Sequence, residues 1–213
     1  AKIYPDETKN GELVQTQMSF VFLTGDYAYK IKKPVNLGYL DYTTIENRRF
    51  FCQRELELNQ RLCPETYLAV VPVIKKAKKI VLGGEGEVID YAVKMRQLPR
   101  EKMLNVLLTK AEMPPDIPAR VARKLAAFHE KAGTGDAVNV FGSRDSIKFN
   151  TEENFRETEK YVGTTISAGK FHRIKDFTDR FITENSALFQ KRVAAGKIRD
   201  CHGDLHAAHI CVT

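Results

Sequence analysis

No run of this chain approaches the roughly 20 apolar residues that a membrane-spanning helix requires; the longest, 68–74, is the length of a strand, as is 91–95, which Lys94 interrupts. The opening residues, 1–11, are polar and lack the apolar core of a secretory leader. Neither a membrane span nor a membrane partner is expected, and the cytoplasm is the expected compartment. Cysteine is scarce too. Cys52, Cys63, Cys201 and Cys211 include no C-x-x-C pair, and in a reducing compartment they read as small core hydrophobes. Internal repeats and low-complexity segments are absent.

What is present is a globular composition: 213 residues, 43% of them hydrophobic, enough to bury one domain or two small lobes. The formal charge of +7 favours anionic partners. Its densest cluster, Lys75, Lys76, Lys78 and Lys79, has no interleaved aromatics. That pattern fits a solvated hairpin loop better than a nucleic-acid stripe, so no nucleic-acid partner is expected.

The first half reads as strands around one helix. Segments 20–24 and 27–32 are strand-like and are joined by Gly25-Asp26, a pair suited to a two-residue hairpin turn. Residues 43–62 read as a helix, with Thr43 and Glu46 in capping-box spacing and Pro64 just past the end. Segments 68–74, 78–82 and 88–95 return to strand character, the last two separated by the turn at 83–86. The expectation is a sheet of about five strands on one helix. After Pro99 helices take over. Asp116 and Pro118 start one whose stripe is Val121, Leu125, Phe128 and Ala132 and whose stop is Gly133. Further helices are expected over 151–168 and 174–195, the second stopped by Gly196. The expected division is a lobe over 1–98 and a mainly helical lobe over 99–213.

Three features carry chemistry. In Tyr27-Ala28-Tyr29-Lys30 the alternation of a strand puts Ala28 and Lys30 on one face. A small residue there leaves room for a flat base, and the lysine two places on supplies a cation for phosphates. Glu55 falls on the apolar side of its helix at about 100° per residue, in the sector of Phe51, Leu58 and Leu62, whereas Glu57 points away. A carboxylate on a core-facing stripe needs a partner, and Lys30 is the natural one. The third feature is Cys201-His202-Gly203-Asp204-Leu205-His206, set between strand-like 198–201 and 210–212.

This last motif resembles the catalytic loop of the aminoglycoside phosphotransferases, whose H-G-D-x-x-x-x-N parallels the H-R-D-x-x-x-x-N of protein kinases. With Tyr29-Lys30-Ile31-Lys32-Lys33-Pro34-Val35, Arg54-Glu55, the segment 91–99 and Leu125-Ala126-Ala127-Phe128-His129, it resembles a bacterial branch of that family across most of the chain. The resemblance implies an α+β, protein-kinase-like two-lobe fold: an antiparallel small-lobe sheet with one helix, then a mainly helical large lobe, incomplete at its C-terminal end. It implies ATP and Mg2+ as cofactors and a small-molecule hydroxyl as acceptor. In that reading Asp204 is the catalytic base, while Ala28, Lys30, Glu55 and Met95 hold the nucleotide. His209, standing where the family carries its metal-binding asparagine, is the candidate metal ligand.

Thr213 precedes the aspartate that holds magnesium in the family, so a longer protein is expected, with a further C-terminal segment or a fused P-loop kinase domain. No G-x-x-x-x-G-K-[ST] occurs here. Apolar positions such as Phe177, Phe181, Phe189 and Val193 are then expected to lack cover.

Two other readings stay open. The histidine at position 209 favours a nucleotide-binding pseudokinase or regulatory module. The crowding of His202, Asp204, His206 and His209 into eight residues favours a metal-dependent hydrolase with zinc or iron, which leaves Lys30 and Glu55 without a role. His129 and His172 read as packing or surface residues.

Overall fold

In β2 (Ser19–Leu23) and β3 (Tyr27–Lys32), β-branched and aromatic residues alternate with others, and Gly25 lets the chain reverse between them at φ 100°. The Thr24 N–H and hydroxyl both donate to the Tyr27 carbonyl at 2.8 Å, closing the turn. These strands belong to a computed structural model that describes residues 11–213 apart from Lys78. The expectations for the opening residues 1–10 and for Lys78 lie outside the described residues.

The described chain is α+β. Its antiparallel sheet has six strands in the order β1-β2-β3-β6-β4-β5, with β1 at Glu12–Gln15, β4 at Tyr67–Lys76, β5 at Lys79–Leu82 and β6 at Glu87–Arg96. The sixth strand is a correction to the expected five. All four residues of β1 are exposed, so it has no buried face to impose an alternating pattern, and it forms by pairing its backbone with β2. Lys75, Lys76 and Lys79 are exposed at the β4–β5 hairpin.

Tyr29, Val73, Leu82 and Ala92 make the core of the sheet, with Phe22, Ile31 and Val71 packed around them. Alternation turns Lys30 and Lys32 to the opposite face. Against that face lies α1 (Ile45–Gln60), whose buried residues Arg48, Cys52 and Leu56 repeat every four positions. One member of the expected stripe is corrected: Leu58 is exposed, whereas Phe51, Glu55 and Leu62 are half-buried, and Arg48, its guanidinium held by Asp90 of β6, joins the buried side. The cap is corrected as well. Thr44, not Thr43, accepts the Asn47 N–H at 3.1 Å, since Asp41 engages both the N–H and the hydroxyl of Thr43.

The chain forms two compact units. One comprises the described residues up to Ile117 together with His206–Thr213; the other is Pro118–Leu205. Sheet gives way to helix after Arg96, near the boundary expected at Pro99, yet α2 (Leu104–Thr109) stays with the first unit. Backbone bonds explain this: Leu104 N–H donates to Ile210 O at 2.8 Å, and Val212 N–H to Lys102 O at 2.9 Å.

Helices follow in chain order: α3 (Ile117–Lys131), α4 (Asp136–Asn139), α5 (Arg144–Glu159), α6 (Ala168–Glu184) and α7 (Ser186–Ala194). On α3 the expected stripe is present: Val121, Leu125 and Phe128 are half-buried between exposed neighbours, and Ala132 just beyond it is buried. Elsewhere the helices differ from expectation. α5 begins at a Ser143 cap, well before residue 151, and Ser167 caps a separate α6. The segment expected as one helix over 174–195 is broken at Asn185, whose side chain donates to the Phe181 carbonyl at 2.9 Å. Residues 198–201 and 210–212 form no strand; only Cys211 makes an isolated bridge, to Met103.

Of the cysteines, only Cys52 is buried, while Cys201 is exposed on its loop. Phe177 and Phe181 are 61% and 42% exposed as expected, but Phe189 is buried. Among the described residues no helix is long and apolar enough to cross a membrane.

Candidate functional site

Glu55 sits midway along α1 and aims its carboxylate at β3. Lys30 Nζ donates to Oε1 at 2.8 Å and Lys32 Nζ to Oε2 at 2.6 Å. The expected ion pair is therefore one half of a three-group cluster carrying two cations and one anion. Glu57, the alternative partner, is exposed and bonded to Arg54. Lys32 was missed by sequence reasoning, although the same alternation that placed Lys30 also places the residue two positions later.

The two lysines are not equivalent. The side chain of Lys32 is 5% exposed and that of Lys30 31%. The Nζ of Lys32 lies 4.8 Å from the ring centroid of Tyr42, which supplies a cation–π contact. Burial by itself would push the Glu55 carboxyl up, but the fields of Lys30 and Lys32 and their hydrogen bonds outweigh it and hold the group below the usual carboxylate range. For Lys32 burial opposes the charge, and the attraction of Glu55 more than reverses that, raising the ammonium above its ordinary value. Neighbouring groups are neutral: burial pushes the Cys52 thiol up to about 11 and the Tyr67 phenol up to about 12.

Ala28 and Met95 are register partners on β3 and β6, and Lys30 pairs with Val93 two positions along. Directly paired residues of an antiparallel sheet point to one face. Ala28, Lys30 and Met95 thus share the face that Glu55 approaches. Ala28 is buried, Met95 half-buried and Lys30 half-exposed, a graded face from apolar to cationic.

Asp204 belongs to the other unit, near its end. Gly203 precedes it at φ 82°, a left-handed conformation that a side chain would strain, and the Asp204 N–H donates to His202 Nδ1 at 3.3 Å. The Asp204 side chain is exposed. Upstream, Asp200 N–H donates to Gly133 O at 2.9 Å, and the Arg199 guanidinium reaches the carbonyls of Glu130 and Ala132, so the loop is tied to the end of α3. Of the four groups expected to crowd together, Asp204, His206 and His209 do so along this one loop, with one ligand atom of each within 4.8 Å of the others and all three exposed; His202 is not in that group. The rings of His206 and His209 lie 3.8 Å apart between centroids, on a short 3₁₀ turn in which His209 N–H donates to His206 O.

No family model matches the chain. Three curated proteins, all uncharacterised, resemble it: one from Mycobacterium bovis and one each from two strains of Mycobacterium tuberculosis. Each is 30% identical over 196 residues, covering 92% of this chain and 38% of itself. The chain thus spans well under half the length of these relatives. Among solved structures, a crystal structure of WbdD matches at a TM-score of 0.31 and 19% identity, covering 61% of this chain and 28% of that one. At that level the likeness bears on neither fold nor activity.

Proposed function

We propose that the chain carries the nucleotide-binding elements and the catalytic loop of an ATP-dependent phosphotransferase with a two-lobe, protein-kinase-like fold, acting on a small-molecule hydroxyl. The observation that supports this best is the Lys30–Glu55 pair at 2.8 Å on the face shared with Ala28 and Met95. A partly exposed ammonium fixed by a largely buried carboxylate, beside a small residue and a flexible apolar one, suits the phosphates and base of a nucleotide. Lys30 binds the phosphate oxygens. Asp204 accepts the proton of the acceptor hydroxyl as its oxygen bonds to the γ-phosphorus and the bond to the β-bridging oxygen breaks, releasing ADP.

Magnesium, implied by the family resemblance, demands hard oxygen ligands. Position 209 offers an imidazole instead, its ring packed against that of His206. That donor does not fit the ion.

The test is transfer of labelled γ-phosphate by the full-length protein to a panel of aminoglycosides, sugars and amino alcohols. Asp204→Asn should lower turnover by about 100-fold or more with ATP affinity nearly unchanged, whereas Lys30→Met should weaken ATP binding itself. Normal transfer by Asp204→Asn would overturn the assignment. ATP binding without transfer to any acceptor would favour a regulatory nucleotide-binding module.

A further inference from the structure

Glu55 has two carboxylate oxygens and gives one to each lysine, and the two lysines differ in what surrounds them. Lys32 is enclosed. Its ammonium lies between Glu55 Oε2 and the Tyr42 ring, with Cys52 of α1 close by, and only 5% of its side chain meets solvent. Lys30 holds Oε1, and nearly a third of its side chain is exposed. If Lys30 alone neutralised Glu55, each departure of its ammonium to another anion would leave a largely buried carboxylate unpaired, a strongly unfavourable state. Lys30 would then be captive. A second, permanently held cation removes that penalty.

We infer that Lys32 is the resident counter-ion of Glu55 and a positioning residue. It keeps the carboxylate ionised and fixed, so that Lys30 can exchange between Glu55 and the phosphate oxygens of a ligand. The phosphate part of this inference rests on the nucleotide reading above; the counter-ion part does not. The groups that hold Glu55 are Lys30, which acts first with both in place, and Lys32, both of β3; Cys52 of its own helix and Tyr67 of β4 also feel its charge, Tyr42 of the loop before α1 faces Lys32, and Asp90 of β6 acts on Cys52. The two lysines are the cations among them, so exchanging the roles of Lys30 and Lys32 is the decisive perturbation.

The experiment pairs a ligand-free arm with a binding arm on the full-length protein. Carboxyl-labelled glutamate followed by NMR through an acid titration should show Glu55 still ionising below the usual carboxylate range in Lys30→Met. In Lys32→Met its titration should move clearly upward, and Lys32→Arg should restore it. A Glu55 that responds more to loss of Lys30 than to loss of Lys32 overturns the inference, whatever the protein binds. Because Lys30 is half-exposed, Lys30→Met is the variant expected to fold without difficulty, and its spectrum alone decides whether Glu55 stays ionised without Lys30.

In the binding arm the probe is ATP. With Lys30 left as the cation of Glu55, Lys32→Met should lose about tenfold in affinity, and Lys32→Met combined with Glu55→Gln should recover most of it by releasing Lys30. A loss in Lys32→Met that Glu55→Gln fails to relieve overturns the positioning role. Failure of the unaltered protein to bind ATP overturns the nucleotide reading and, with it, the phosphate part of the inference, while the titration still decides the counter-ion.

Discussion

A carboxylate between two ammoniums makes stability depend on pH in a calculable direction. The native Glu55 pKa lies below its ordinary value of 4.5, so its contribution is complete above that value and is lost as pH falls through the native pKa. Lys32 is raised above 10.5, so its contribution is complete below that value and is lost only as pH rises through its native pKa. The Glu55–Lys32 contact is therefore intact from weakly acidic to strongly basic pH. Glu55→Gln leaves two lysines facing a neutral amide. At pH 7 its urea midpoint should fall below that of the unaltered protein, and the gap should close as both are titrated below 4.5 and through the native carboxyl's lowered pKa. A gap that stays constant with pH would mean that Glu55 contributes through packing and not through charge. At this scale sequence reasoning identified the Lys30–Glu55 pair because each partner is set by a local period: two for the strand, 3.6 for the helix. It missed Lys32, since a lysine near a strand end reads as solvated, and it missed Arg48, which as a charged residue was not counted in the buried stripe.

At the scale of elements, α1 decides how Glu55 is presented, and its first turn is fixed by Thr44. Thr44→Ala removes the acceptor for the Asn47 N–H and should lower stability by about 1 kcal/mol in denaturant unfolding. Thr43→Ala should cost less, because its exposed hydroxyl donates to the nearby Asp41 side chain and not to the helix backbone. Equal losses at both positions would return the cap to the capping-box spacing of Thr43 and Glu46. Strands with a buried face, β2 to β6, were legible to within a few residues, and the stripe of α3 was legible as written. β1 was not, because a strand exposed on both faces has no pattern to read. Nor was the break between α6 and α7, where one asparagine side chain competes for a helical carbonyl.

At the scale of the molecule, sheet order has consequences that no single strand carries. β3 and β6 lie inside the sheet, and Tyr29, Ala92 and Val93 are fully buried. β1 and β5 are the edges. Amide hydrogen exchange should therefore be slowest at Tyr29, Ala92 and Val93 and fast along β1, with the cluster of Lys30 and Glu55 framed by the slowest-exchanging backbone. Comparable exchange in β1 and β3 would contradict the order.

The sequence by itself determined which side chains could meet. Alternation along β3 and the turn of α1 are local, and they hold whatever surrounds them, so Ala28 with Lys30 and Glu55 opposite was readable from spacing. The tertiary structure alone decided how those groups differ. It made Lys32 the enclosed cation and Lys30 the accessible one, placed Arg48 on the buried side of α1, and tied α2 to residues 210–212 through backbone bonds. Burial and strand order arise from contacts between residues far apart in the chain, and it is burial that separates two chemically identical lysines on one strand face.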